Sequence, residues 1–210
     1  IFFPKGAEVY PIVNKVGFCL QQEKVALIGA SGSGKTLTAK ALFGLVPKPG
    51  IVQAQTLQIF GQDLLTMQSQ ALRQLRGRQI AMIMQDPKFS LNPVLTVAEQ
   101  IAECFIFHGF AKRQQVKTLV LDILAKVKIP DPLRVANCYP GQLSGGMAQR
   151  VMIAMMIACK PKLLVADEAT SSLDSTTKEE IMELIITICQ QQSMGLLMIS
   201  HDLPLVATYC

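Results

Sequence analysis

Apolar runs about one strand long alternate with amphipathic stretches along this chain, and the alternation predicts an α/β fold. Four of the runs predict strands, at residues 24–28, 79–84, 162–166 and 195–200. The run at 162–166 is so apolar that we expect burial on both faces of a mostly parallel sheet. Residues 36–43 predict a helix, and a helix-friendly stretch at 64–75 follows a β-leaning segment at 56–60.

Residues 96–127 carry apolar side chains at helical spacing, which predicts two or three packed helices. Val97, Ile101 and Phe105 mark the first apolar face. The segment is either an inserted helical subdomain or a set of further helices in the main α/β layer, and we favour the insertion.

One domain is expected to contain all 210 residues. Its α/β core comprises 1–89 and 156–210, and the helical subdomain comprises 90–155. Because the chain starts with Ile1 rather than Met and reaches Cys210 soon after an apolar run, we expect a piece trimmed at both ends.

Composition narrows the class of protein. Half of the residues, 50%, are hydrophobic, yet no run approaches the roughly eighteen residues of a membrane-spanning helix. The six cysteines are far apart and form no C-x-x-C or His/Cys cluster, so we predict reduced thiols rather than a metal site or a disulfide framework. The net charge of +5 comes from scattered basic residues with few aromatics between them, which is weak support for nucleic-acid binding.

A phosphate loop of the form G-x-x-x-x-G-K-T stands between the first predicted strand and the first predicted helix. It consists of Gly29, Ala30, Ser31, Gly32, Ser33, Gly34, Lys35 and Thr36. The glycines allow successive N–H groups to turn inward around an anion, and the helix start adds positive potential. Lys35 is expected to reach the β- and γ-phosphates of ATP, and the Thr36 hydroxyl to join a Mg²⁺ shell. The alternative, a Gly/Ser surface turn, is disfavoured by the flanking strand and helix.

Acidic and imidazole side chains follow two other predicted strands. Asp167 and Glu168 come after the third strand, and His201 comes after the fourth. Because ligands of open α/β folds bind at the carboxyl ends of strands, we expect Asp167 to help hold magnesium and Glu168 to deprotonate the attacking water. His201 is expected to hydrogen-bond the γ-phosphate and the catalytic carboxylate. The alternatives are a helix cap or solvated turn for the acids and a structural role for the histidine, as we expect for His108.

Together these residues resemble the ATP-binding subunit of ABC transporters. In family order, the resemblance rests on the phosphate loop, Gln85, the signature Leu143–Arg150, Asp167, Glu168, the stretch 172–174 and His201. It implies a phosphate-loop NTPase (RecA-like) core with a mostly parallel sheet and an inserted helical subdomain that carries the signature. Gln85-Asp86-Pro87, followed by Ser-Leu-Asn-Pro at 90–93, is similar to the subgroup that imports oligopeptides, dipeptides and nickel, as is Met147 in the signature.

The resemblance gives the signature a role between subunits. Ser144, Gly145 and Gly146 would precede a helix at 151–158 and bind ATP held by a second ABC ATPase subunit, in a homodimer or a heterodimer. Asp174 would contact the opposed subunit near its phosphate loop. The alternative is an ordinary capped helix, since Ser144 is a good N-cap residue.

Other expected roles are local. Gln85 would contribute to catalysis by sensing the γ-phosphate side and the metal, and would link the helical subdomain to membrane subunits. An aromatic residue upstream of the phosphate loop would stack on adenine, and Phe3 and Tyr10 are the candidates, with Tyr10 preferred. The sequence departs from the family at Ala169, where proline usually follows the acidic pair, and at Pro204, where the subgroup often has glycine.

The resemblance thus implies an ATP-hydrolysing motor subunit of an importer, peripheral to the cytoplasmic face of the inner membrane. Its expected partners are two membrane permeases and an extracytoplasmic solute-binding protein, with no nucleic acid. We expect nickel or a metal chelate as first cargo and short peptides as second. The alternatives are a soluble ABC-type ATPase acting on nucleic acid or ribosomes, and an inactive fragment.

Overall fold

The computed structural model describes residues 1–6 and 8–210 of the chain. In chain order its strands are β1 (Phe2–Lys5), β2 (Glu8–Pro11), β3 (Lys24–Ile28), β4 (Gln58–Ile59), β5 (Gln62–Asp63), β6 (Ile80–Ile83), β7 (Leu163–Asp167) and β8 (Gly195–Ser200). Its helices are α1 (Lys35–Leu42), α2 (Ser69–Leu75), α3 (Val97–Phe107), α4 (Arg113–Lys126), α5 (Pro132–Ala136), α6 (Gly145–Ile157), α7 (Ser175–Gln191) and α8 (Leu203–Tyr209).

The central sheet has four parallel strands in the order β3–β8–β7–β6. These are the four strands that the apolar runs predict, and the parallel arrangement is confirmed. Since all four strands point the same way, their carboxyl ends meet at one edge of the sheet. The segments that follow them therefore lie close together.

Side-chain alternation along β7 and β8 explains how the sheet is covered on both faces. Leu164 and Met198 enter a large core shared with α3, α4, α5, α6 and α7. Val165 and Leu197 point to the opposite face and pack with Ala39 of α1 and with residues of α2. Apart from Asp167 and Ser200 at their ends, these two strands are apolar because neither face meets solvent.

The predicted helices of residues 96–127 are α3 and α4. A capping box starts α3: Thr96 Oγ1 accepts from the Glu99 backbone N–H at 3.3 Å, and the Glu99 carboxylate accepts from the Thr96 N–H at 2.7 Å. The buried apolar side chains of both helices belong to the same hydrophobic core as one face of the sheet. The helical layer and the sheet therefore share one continuous apolar interior.

Two predicted elements are shorter than expected. The strand predicted at 56–60 is reduced to β4, which turns back into β5 through Phe60 and Gly61, both at positive φ of 50° and 76°. The helix predicted at 64–75 begins only at Ser69. The two-residue hairpin ends the first element, because residues with left-handed backbone torsions cannot continue a strand.

The helix after the signature also differs from the prediction of 151–158. It is α6, and it begins at Gly145, so Gly145 and Gly146 lie in its first turn rather than before it. Ser144 is the N-cap, and its hydroxyl accepts from the Met147 N–H at 3.3 Å. Among residues 1–6 and 8–210, every helix is too short or too polar to cross a bilayer.

Candidate functional site

The phosphate loop, the acidic pair and the histidine lie at one edge of the sheet. Ile28, which ends β3, pairs with Ser200, which ends β8. Asp167, which ends β7, pairs with Ile199. Because these strands are neighbours and parallel, the residues that follow them lie at one edge of the sheet, as expected from the sequence.

Two glycines of the phosphate loop have left-handed torsions. Gly32 has φ of 79° with open space where a Cβ would be, and Gly34 has φ of 89° and is the N-cap of α1. A Cβ on Gly34 would lie 2.7 Å from Val13 Cγ2 and 3.3 Å from the Ile12 carbonyl. The loop therefore turns sharply into α1, whose first N–H groups have no intrahelical partners, and such helix starts are suited to bind anions.

Lys35 is almost fully buried, with 8% of its surface exposed. Its Nζ donates hydrogen bonds to the carbonyls of Gly29 and Ala30, at 2.7 and 2.8 Å. The loop thereby folds around its own ammonium group. This places a positive charge inside the same turn of backbone that presents N–H donors.

Thr36 and Asp167 bring the first helix and the third strand together. The Thr36 hydroxyl donates to Asp167 Oδ1 at 3.1 Å, although the two residues are far apart in sequence. Asp167 is 5% exposed, and burial raises the pKa of its carboxyl, an effect that the Thr36 hydrogen bond opposes. A hydroxyl and a buried carboxylate are hard oxygen ligands, so this pair fits a magnesium ion.

Glu168 and His201 form the second close pair at this edge. His201 Nδ1 lies 3.0 Å from Glu168 Oε1, with side chains 59% and 20% exposed. Glu168 has a positive φ of 48°, and its backbone N–H donates to the Ile199 carbonyl at 3.0 Å. The strained backbone directs the carboxylate beyond the end of β7, where it meets the imidazole.

An ion pair that sequence reasoning missed supports the histidine. Asp202 accepts from the Leu205 N–H at 3.0 Å as the N-cap of α8, and its other carboxylate oxygen pairs with Lys178 of α7. The hydrogen bond from Lys178 is the main cause of a lowered Asp202 pKa. Since Asp202 directly follows His201, this pair fixes the turn that carries the imidazole.

The signature starts α6 next to the segment that follows Glu168. Ser144 and Gly145 are exposed. A Cβ on Gly146 would lie 3.1 Å from Thr177 Cγ2, so α6 and the start of α7 approach closely here. Asp174 is exposed and caps α7 by accepting from the Thr177 N–H at 3.0 Å. The signature and Asp174 thus lie on one exposed surface.

Two predicted site residues make no described hydrogen bond to this group. Gln85 is exposed and lies just beyond the end of β6. Tyr10 lies in β2, opposite Phe3 of β1, and is 46% exposed, with its hydroxyl donating to the Glu8 carboxylate. The chain runs from β2 to Val13, which contacts the phosphate loop.

Comparison with known families decides the identity of the fold and motifs. The ABC transporter family model matches residues 13–171. The chain belongs to the ABC transporter family.

Individual relatives agree with this ABC assignment. The chain is 47% identical over 199 residues to the dipeptide transport ATP-binding protein DppD of Haemophilus influenzae, covering 94% of this chain and 60% of the relative. It is 38% identical over 208 residues to the oligopeptide transport ATP-binding protein AppD of Bacillus subtilis, covering 98% of this chain and 63% of that protein. The chain therefore spans less than two thirds of the length of these relatives.

A solved structure confirms the fold of the ABC chain. The ATP-binding cassette MJ0796, in a dimeric post-hydrolysis state bound to ADP and Pi, superposes with a TM-score of 0.83 at 28% identity. The superposition covers 97% of this chain and 86% of that cassette. The predicted phosphate-loop α/β fold is thus confirmed.

A buried glutamine in the ABC signature was missed by sequence reasoning as a site residue. Gln149 of α6 is fully buried, and its Nε2 donates to the carbonyl of Ala169, directly after Glu168. Its Oε1 is buried without a partner among the described atoms. A polar residue beside the buried apolar run that begins at Val151 was the available signal.

Proposed function

We propose that this ABC-family chain is the ATP-hydrolysing motor of an importer for short peptides. The observation that carries the proposal is the Glu168–His201 pair at 3.0 Å, at the edge that also holds the phosphate loop and the Thr36–Asp167 pair. A nucleotide carrier needs the loop alone. A hydrolase also needs a carboxylate held beyond it.

The phosphate loop and Lys35 bind the triphosphate in this proposal. Backbone N–H groups at the start of α1 donate to phosphate oxygens, and the Lys35 ammonium shifts from the Gly29 carbonyl toward the β- and γ-phosphates. Thr36 and Asp167 hold Mg²⁺, with Gln85 approaching from the end of β6. When bound, Mg²⁺ neutralises the charge of the phosphate oxygens.

Glu168 acts as the general base for the attacking water. Its carboxylate lies one residue beyond Asp167 and is 20% exposed, so water reaches it. His201 orients the carboxylate by donating from Nδ1 to Oε1, and in its doubly protonated form it also donates from its other ring nitrogen to the γ-phosphate. The proton of the water passes to the Glu168 carboxylate as the water oxygen bonds to the γ-phosphorus, and the bond from that phosphorus to the β–γ bridging oxygen breaks, so that ADP leaves.

A pair of subunits completes each ATP site. The exposed Ser144 and Gly145 begin α6, whose free N–H groups suit phosphate oxygens, and the same surface carries Asp174. The dimeric state of the MJ0796 cassette supports this arrangement. We infer that the signature binds ATP held by a second ABC subunit, identical or different, and that Asp174 contacts that subunit.

Peptide cargo has more support than nickel. DppD and AppD are named for dipeptide and oligopeptide transport, and GsiA of Shigella boydii, 41% identical over 214 residues, for glutathione import. The GsiA match covers 99% of this chain and 34% of that protein. These names support short peptides, the second cargo expected from the sequence, and they give no support to nickel or a metal chelate.

Permeases and a solute-binding protein complete the proposed importer, with this subunit peripheral to the cytoplasmic face of the inner membrane. An apolar cleft of about 540 Å³ lies between α3 and the side of the protein formed by α1 and α2. Met84 lines this cleft next to Gln85, the residue expected to link to the membrane subunits, and this supports docking of a permease at the cleft. Within this proposal, 90–155 is the helical subdomain and 1–89 with 156–210 the nucleotide-binding core. The alternative, a soluble ATPase acting on nucleic acid, predicts permease-independent DNA binding at physiological salt.

Substitution of Glu168 by Gln tests the proposed hydrolysis. The amide keeps the shape but cannot accept the proton, so phosphate release should fall at least about a hundredfold while ATP binding persists. Glu179→Gln, an exposed change on α7, is the matched control and should keep full turnover. Normal phosphate release by Glu168→Gln with normal ATP binding would show that Glu168 is not the base. Co-purification with permeases or with DNA separates the two functional classes.

A further inference from the structure

Gln149 is a polar residue in an apolar interior. It is 0% exposed, in a helix whose following residues Val151, Met152 and Ile153 are equally buried. The Nε2 group donates to the Ala169 carbonyl, which fixes the orientation of the amide because a carbonyl only accepts. No other described hydrogen bond reaches that carbonyl.

The acceptor belongs to the turn that carries Glu168. The Ser171 N–H donates to the Glu168 carbonyl at 3.1 Å, closing a turn with Ala169 inside it. Glu168 itself has a positive φ of 48°, a conformation that needs support from its surroundings. The Gln149 side chain holds this turn through its hydrogen bond to the Ala169 carbonyl.

Helix α6 contacts the same loop at a second place. The first turn of α6 lies against Leu173 and Thr177, since Cβ atoms on Gly145 and Gly146 would be 4.0 and 3.1 Å from those side chains. The loop between β7 and α7 is therefore held by α6 near both of its ends. A displacement of α6 along its axis would therefore be expected to move the Ala169 carbonyl with it.

We propose that Gln149 is a positioning residue that couples the signature of this chain to its own Glu168. The inference rests on the proposed function, in which the start of α6 engages ATP on the partner subunit. Contact with that ATP sets the position of α6. The hydrogen bond from Gln149 to the Ala169 carbonyl then shifts the turn of Glu168 together with the helix. Hydrolysis at one ATP site thus responds to occupation of the other.

The number of unsatisfied buried acceptors before and after a substitution of Gln149 distinguishes a positioning role from a purely structural one. Gln149 Oε1 is buried without a partner among the described atoms. Replacement by Met removes this orphaned acceptor and leaves the Ala169 carbonyl without its donor instead. One unsatisfied acceptor replaces another, so the substitution should change stability little while releasing the turn.

The test compares Gln149→Met with Met152→Leu in the full-length protein. Met152 is fully buried in the same helix, and its change to Leu conserves volume. We expect Gln149→Met to lower kcat about tenfold, because misplacement of a catalytic group costs turnover, with KM and the Kd for a fluorescent ATP analogue unchanged. Its melting temperature should match that of Met152→Leu, which keeps wild-type turnover.

A second arm uses the Glu168→Gln background. If Gln149 acts through Glu168, adding Gln149→Met there leaves the residual turnover unchanged. An unchanged kcat for the single variant, a parallel loss of ATP affinity or stability, or a further tenfold loss in the double variant would each overturn the coupling role. A wild-type protein without turnover, even with its permeases, would overturn the proposed function itself.

Discussion

His201 Nδ1 lies 3.0 Å from Glu168 Oε1, across the ends of the adjacent strands β7 and β8. The contact joins a carboxylate on a strained turn to an imidazole on a turn fixed by Asp202 and Lys178. Gln149 of α6 holds the turn of Glu168, and Lys178 of α7 holds the turn of His201. The relative placement of the carboxylate and the imidazole therefore depends on the packing of α6, α7 and β8.

Replacement of His201 by Ala should abolish most turnover and spare nucleotide binding. Without the imidazole, Glu168 loses its described side-chain partner and the γ-phosphate loses a donor, so we expect kcat to fall about a hundredfold. Steady-state phosphate release and a fluorescent-nucleotide titration measure the two effects. His108→Asn, at the chain's other histidine, should keep basal turnover without permeases. Equal losses in both variants would assign His201 a structural role.

Gly34 and Gly32 provide a matched pair for the strain in the phosphate loop. Both have positive φ, 89° and 79°, but only Gly34 would bring a Cβ against a neighbour, 2.7 Å from Val13 Cγ2. Gly32→Ala should therefore cost about 1 kcal/mol in the free energy of unfolding, and Gly34→Ala about 2–4 kcal/mol. Urea denaturation without nucleotide measures both values. Equal costs would show that Val13 moves away freely.

Thiol accessibility gives a third prediction. Burial raises the pKa of Cys104 to about 11 and the pKa values of Cys159 and Cys189 to about 12, whereas Cys19 is exposed. Since the thiolate is the reactive form, iodoacetamide at pH 8 should modify Cys19 and leave the other three unmodified. Mass spectrometry of peptides locates the label, and the same reaction in urea is the control. Rapid labelling of Cys159 in the native protein would contradict its burial.

The candidate site at the carboxyl edge of the sheet could be predicted from sequence because each part of it depends on a local pattern. A strand followed by Gly29–Thr36 defines the phosphate loop, and a strand end places Asp167 and His201 at the same edge whatever the helices do. The prediction of a strand over 56–60 was wrong in its length because Phe60 and Gly61 reverse the chain. The β-propensity of the segment does not reveal the positive φ of these two residues.

Contacts between distant segments could not be predicted in this way. The bond from Gln149 to Ala169 and the pair of Lys178 with Asp202 depend on how α6 and α7 pack on loops that are remote in sequence. Both partners in each case are ordinary residues at their positions. Only the tertiary packing shows that they support the turns of Glu168 and His201.

Asp167 should limit the stability of the protein at neutral pH. Burial raises its folded-state pKa above the unfolded value, so the folded state binds the proton more tightly and the charged form is penalised. The penalty is absent below the unfolded pKa and grows as pH rises through the folded pKa. Asp167→Asn, which can still accept from Thr36, should therefore raise the melting temperature at pH 7 while abolishing Mg²⁺-dependent hydrolysis.

The gain should shrink as the pH falls toward and below the ordinary carboxyl pKa, where Asp167 is neutral in both states. Asp122→Asn, an exposed change on α4, is the control and should show no such pH-dependent gain. Melting curves of both variants from pH 4 to pH 8, without nucleotide or Mg²⁺, give the comparison. A lower melting temperature for Asp167→Asn at pH 7 would mean that the carboxylate stabilises the empty site, and that its burial is compensated by Lys35 and Lys40.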